Sequence, residues 1–96
     1  MLTGKQKRFL RAKANQIRPV FQVGKTGVNE NMTTQISEAL EKRELVKISV
    51  LQNCLEDKND VADQIVQATD AELVQIIGNQ IILYKESKEH KEIELP

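Results

Sequence analysis

Apolar positions along the chain recur with two periods, and the change between them divides the sequence into alternating helices and strands. At 100° per residue Phe9, Leu10, Ala14 and Ile17 share one side of a first helix, while Lys7, Arg8, Arg11, Asn15 and Arg18 share the other. Thr3 is placed to cap its first turn, with Gln6 three residues on to complete a capping box, and Pro19 is placed to end it. Val20–Val23 reads as a short strand. A second helix is expected from about Asn29 to Arg43 on the stripe Met32, Ile36, Ala39 and Leu40. Leu45–Val50 then alternates with period two, which turns Val46, Ile48 and Val50 toward a core and Lys47 and Ser49 away from it. A third helix follows over about Asn59–Thr69, its stripe including Val61, Ala62 and Ile65. Two last apolar runs flank Gly78-Asn79, the kind of two-residue connection that closes a β-hairpin.

The predicted order is α-β-α-β-α-β-β. Alternating strands and helices imply parallel strands joined by right-handed crossovers, and the hairpin makes the last strand antiparallel. The last strand carries the longest apolar run, which places it inside the sheet. The expectation is a two-layer α/β fold with a four-stranded mixed sheet in the order 1-2-4-3. Ninety-six residues suffice for one domain, so a single domain over 1–96 is expected. Residues 86–96 form a charged tail that only Ile93 and Leu95 could anchor, and nothing in its pattern obliges it to be ordered.

Composition narrows the function classes. One cysteine and one histidine can build neither an internal disulfide nor a Cys/His zinc site. No segment has the run of about 18 apolar residues needed to span a bilayer, and no apolar stretch follows the early charges as a signal peptide requires, so a cytoplasmic protein is expected. Cys54 has no histidine near it, and His90 lies in the tail, which leaves no nucleophile with its base. Asp57, Asp60 and Asp63 lack the glycine and distal glutamate of a calcium loop and are read as helix-start acids. Neither catalysis nor a cofactor or metal is expected.

The net charge of zero conceals a strong asymmetry. Residues 1–48 hold ten basic and four acidic side chains, a net of +6, and residues 49–96 hold the reverse. No acid precedes Glu30. A basic first half of this kind points to a polyanion partner, with a solvated helix face as the plainer reading. The sharpest local feature is Gly24-Lys25-Thr26-Gly27, set between a strand and a helix. Its glycines let a ligand approach the main chain, its amides could form an anion nest beside the helix start, and Lys25 adds a full charge. The spacing is not that of a nucleotide-binding P-loop.

Leu2-Thr3-Gly4-Lys5-Gln6-Lys7-Arg8, Pro19 through Gly27, and Gly78-Asn79-Gln80-Ile81-Ile82-Leu83-Tyr84 together resemble the bacterial stand-alone CRM domain proteins, the YhbY-like family. The similarity covers nearly the whole chain. It implies a fold like the carboxy-terminal domain of translation initiation factor three, RNA binding through the glycine loop, association with precursors of the large ribosomal subunit, and kinship with plant domains that promote intron splicing. Carried onto this chain, Gly24, Lys25, Thr26 and Gly27 form an RNA-contacting GxxG loop. Lys7, Arg8, Arg11 and Arg18 are added from the basic stripe as the accompanying phosphate contacts. A KH-like glycine loop clamps the backbone of a few unpaired nucleotides, and three aromatics are too few for a stacking platform, so recognition should rest on shape and phosphate. The expected partner is ribosomal RNA, bound by a monomer. The alternative is a protein-interaction module whose acidic second half docks basic ribosomal proteins.

Overall fold

Thr3 opens the first helix as its position demands. In the computed structural model, which describes residues 2–96, its hydroxyl accepts from the Gln6 amide at 3.1 Å. The Gln6 carboxamide accepts from the Thr3 amide at 3.0 Å, completing the capping box. Met1 of the expected 1–96 domain lies outside the described residues. Helix α1 runs Gly4–Ala14 and stops before Pro19. The amides of Gln16 and Ile17 bond three residues back, to Lys13 and Ala14, so the chain tightens into turns and leaves the helix before the proline can end it.

The remaining elements are β1 (Phe21–Val23), α2 (Glu30–Arg43), β2 (Leu45–Val50), α3 (Lys58–Thr69), β3 (Glu72–Ile77) and β4 (Gln80–Tyr84). They form a mixed sheet in the order β1-β2-β4-β3, as the pattern predicts. β1 lies parallel to β2, and β4 runs antiparallel to both β2 and β3. Gly78 turns the hairpin at φ +57°, a conformation glycine adopts without a Cβ penalty. Asp57 caps α3 by accepting the Asn59 amide at 2.7 Å, and Asp60 stands in the first turn of the helix.

Successive β4 side chains serve opposite cores. Ile81 and Leu83 pack with Ile36, Leu40, Ile48 and Ile65 beneath α2 and α3. Ile82 and Tyr84 pack with Leu10, Ala14, Leu45 and Ile93 beneath α1 and the C-terminal segment. Helix α1 thus adds a layer on the sheet face opposite α2 and α3. This layer corrects the expectation for Lys47, which faces the α1 side and keeps only 8% of its surface exposed. Ile48, Ile65, Ile81 and Leu83 are fully buried. Ile81→Ala or Leu83→Ala should therefore cost about 2–5 kcal/mol in urea unfolding, and a loss below about 1 kcal/mol would contradict a central β4.

The segment after β4 has no regular structure but is tied down closely. Glu44, at φ +65° between α2 and β2, is completely buried. Its carboxylate accepts the amides of Ser87, Glu92 and Ile93 at 2.8, 2.7 and 2.8 Å. One turn earlier, Glu41 accepts from the Ser87 hydroxyl at 2.7 Å and from the Lys88 and Glu89 amides at 3.0 Å each. Ile93 is buried and Leu95 half-buried, so the apolar anchors act alongside a polar clasp.

Candidate nucleic-acid interface

Gly24–Gly27 closes on itself as a tight turn at the exit of β1, with the Gly27 amide donating to the Gly24 carbonyl at 3.0 Å. Gly27 sits at φ +70° and is buried, whereas Lys25 and Thr26 are exposed at the apex. The anion nest is therefore smaller than four successive amides would make it. Gly27's amide is committed to the turn, and those of Lys25 and Thr26 form no backbone hydrogen bond among the described residues. The helix start adds little. Asn29 accepts the Met32 amide at 2.9 Å and Glu30 stands in the first turn, so positive charge at the loop rests on Lys25.

The β2–α3 connection supports the turn from beneath. A Cβ built on Gly24 would meet Asn53 Oδ1 at 3.4 Å and Leu51 Cδ1 at 3.6 Å, which is ordinary contact. One built on Gly27 would run into the Glu56 carboxylate, which Gln64 holds at 2.8 Å. The two glycines thus do different jobs. Gly24 leaves the apex open, and Gly27 supplies the positive φ and the close approach of Glu56.

Because β1, β2 and β3 point the same way, their C-terminal ends lie along one side of the sheet, with the loop at the β1 edge and β3 at the far edge. Leu51 after β2, Leu55 in the next connection, and Ile77 at the end of β3 are 38%, 82% and 54% exposed. The sequence reading missed these apolar groups, whose only signal was apolar side chains set among turn residues. The hairpin beside them is held by the Lys58 ammonium on the Gly78 carbonyl at 2.6 Å.

The predicted basic residues divide. Lys7, Arg8 and Arg11 ride on α1, on the sheet face opposite the helix into which the loop leads, with Arg8 exposed and the other two half-buried. Arg18 is exposed in the link before β1, at the end of that strand away from the loop. It lines a cleft with Lys13, Arg43 and Lys47, three cations outside the predicted set. Among the described residues no aromatic platform faces solvent: Tyr84 is buried, and Phe9 and Phe21 are half-buried against the two cores.

Cys54 lies beyond the end of β2, half-buried, with its thiol 3.6 Å from the Glu56 carbonyl. His90 stands 3.6 Å from Glu41 in the C-terminal clasp. Among the described residues no three His, Cys, Asp or Glu side chains gather as metal ligands, and no helix is long and apolar enough to cross a membrane.

Residues 2–85 match the family model of the CRS1 / YhbY (CRM) domain. The chain is 70% identical to "Probable RNA-binding protein YqeI" of Bacillus subtilis (strain 168), over the full length of both. It is 39% identical to a Haemophilus influenzae protein named "RNA-binding protein", over 99% of this chain and 95% of that one. Its fold matches the solution structure of the hypothetical protein SAV1595 from Staphylococcus aureus with a TM-score of 0.83, at 59% identity and complete coverage of both chains.

Proposed function

The chain belongs to the CRS1 / YhbY (CRM) domain family, and on that footing we propose that it is an RNA-binding protein of ribosome assembly. Its target in this reading is ribosomal RNA of the large-subunit precursor, met by the Gly24–Gly27 loop and by Lys7, Arg8, Arg11 and Arg18. It acts in the cytoplasm as a single-domain monomer, without catalysis or cofactor. The observation that carries the reading is the loop itself: an exposed Lys25-Thr26 apex with free backbone amides, open because Gly24 has no side chain. Amides and a lysine together suit a phosphate, which accepts from both. The exposed Leu51 beside Gly24, with Leu55 in the same connection, offers apolar surface to bases where stacking rings are absent.

Docking of basic proteins through the acidic second half has less support. Asp57 is used as a helix cap, Glu56 is held by Gln64 against the loop, and Glu86 pairs with Lys91 at 2.9 Å. Asp60, Asp63, Asp70, Glu89, Glu92 and Glu94 stay exposed, so it is the open loop rather than a shortage of acids that favours RNA.

Titration of large-subunit precursor RNA across a salt series tests the proposal. Four to six phosphate contacts on a single strand should give a slope of log K against log salt of roughly −3 to −4, at about 0.7 per phosphate. A flat response would reject phosphate-led binding. Crosslinking in cells, followed by sequencing of the attached RNA, tests the ribosomal target: recovery of other RNAs alone would overturn that part.

A further inference from the structure

Lys47 stands where β2's alternation predicts a solvent-facing side chain, yet α1 and the C-terminal segment cover more than nine-tenths of it. A buried ammonium is expensive unless something compensates its charge. Lys47 has neither an ion pair nor a side-chain hydrogen bond among the described residues. No buried side-chain nitrogen or oxygen there is both sealed from solvent and unbonded, so its ammonium opens onto the neighbouring space. That space is a cleft of about 480 Å³ between the end of α1, the start of β2 and the C-terminal segment.

The cleft carries Lys13, Arg18, Arg43 and Lys47 against one carboxylate, Glu92. None of the four cations is paired with it. Lys13 lies over the Phe9 ring at 5.8 Å, and Arg18 and Arg43 are exposed at the rim. Ile17 and Val20 supply an apolar wall. A volume in the range of small-molecule sites, an apolar wall and four lining cations suit a ligand with one planar apolar part and one multiply charged anion.

We propose that this cleft seats one phosphate-bearing nucleotide, its phosphate on Lys47 with Arg18 and Arg43, and its base against Ile17 and Val20. The inference rests on the RNA-binding reading and deepens it by giving the RNA a second point of attachment. Val20 and Gly24 flank the edge strand β1, roughly 13 Å apart at about 3.3 Å per residue, so one strand of RNA can follow that edge from cleft to loop. Lys7, Arg8 and Arg11 do not line the cleft.

The test is a nitrogen-15 NMR titration of the intact protein with a short single-stranded oligoribonucleotide, with adenosine 5′-monophosphate, and with an acidic peptide. The oligonucleotide should shift the amides of Arg18, Val20 and Lys47 together with those of Lys25 and Thr26. Lys47→Met keeps the aliphatic stem and removes the charge. It should abolish the cleft shifts, spare the loop shifts and weaken RNA binding roughly tenfold, the size of one charge-assisted hydrogen bond. Arg18→Gln combined with Arg43→Gln leaves the core untouched and should act in the same direction should Lys47→Met unfold. Cleft shifts produced by the mononucleotide at lower concentration than by RNA would support the site and assign it to a free nucleotide. Loop shifts with RNA but none in the cleft from either nucleotide probe would overturn the cleft while leaving RNA binding standing. Cleft shifts with the acidic peptide alone would also overturn it. With no RNA response anywhere, the RNA-binding reading falls, and the mononucleotide titration decides the cleft by itself.

Discussion

Replacing Glu44 with alanine should cost about 3–5 kcal/mol, among the largest losses open to a single substitution in this chain. Its carboxylate receives three backbone amides in a site with no solvent exposure, and alanine would leave all three without an acceptor. Because Glu92 and Ile93 also form a wall of the basic cleft, the same change should disturb that cleft. Urea unfolding measures the stability, and amide exchange at Ser87–Ile93 shows whether the segment has come away. A variant as stable as the parent would mean that the segment contributes nothing to the fold.

Acid should act on the same clasp. Burial pushes the Glu44 carboxyl up, but the amides of Ser87, Ile93 and Glu92 together with the charge of Lys91 hold it below the ordinary carboxylate range. The Ser87 hydroxyl, followed by the Lys88 and Glu89 amides, brings Glu41 down to about 2. Both groups bind protons more weakly folded than unfolded, so their stabilisation is complete above the unfolded value of about 4.5 and is lost as the pH falls from there toward 2. Exchange at Ser87–Ile93 should rise over that window ahead of the amides of β4.

This clasp was invisible in the sequence for a physical reason. Capping boxes, alternation and hairpin turns are written within a few residues, and Thr3 with Gln6, the Ile81–Tyr84 run and Gly78-Asn79 each declared their structure locally. Glu44 meets partners 43 to 49 positions away, and nothing near it in the chain distinguishes it from a solvated helix-end acid. Lys47 was misread for a related reason. Alternation assigns the two sides of a strand but not what covers the second side, and α1 lay far enough upstream that its return over the sheet carried no local signal.

The candidate site divides along the same line. Gly24-Lys25-Thr26-Gly27 was legible because glycines at a strand exit state their own geometry. The unequal roles of the two glycines were not, since they depend on Asn53 and Glu56 from a distant connection. Nor was the separation of Arg18 from Lys7, Arg8 and Arg11, because helical periodicity continued a stripe past Ala14 where the helix has already ended.

Gly24→Asp and Gly27→Asp should therefore fail by different routes. At Gly24 the backbone lies outside the left-handed region and a Cβ meets only ordinary contacts, so Gly24→Asp should fold with a stability within about 1 kcal/mol of the parent. It places a negative charge at the entrance to the loop where phosphate is to approach. At an effective dielectric near 20, like charges about 4 Å apart repel by a few kcal/mol before salt screening, so RNA affinity should fall roughly 30- to 100-fold. Gly27→Asp instead forces a side chain into φ +70° and onto the Glu56 carboxylate, adding like-charge repulsion to backbone strain. Glu56 is exposed and can swing aside, so the loss rests on the backbone: about 1–3 kcal/mol, read by thermal unfolding, whether or not RNA is present. Gly27→Ala retains the strain without the charge and should lose a similar amount. Lys25→Ala provides the scale for binding: one charge removed from an otherwise intact apex should weaken RNA binding only severalfold and reduce the salt slope by about 0.7. A folded Gly24→Asp that binds RNA like the parent would reduce the loop to a turn, and the contacts would then have to lie on α1 and in the cleft.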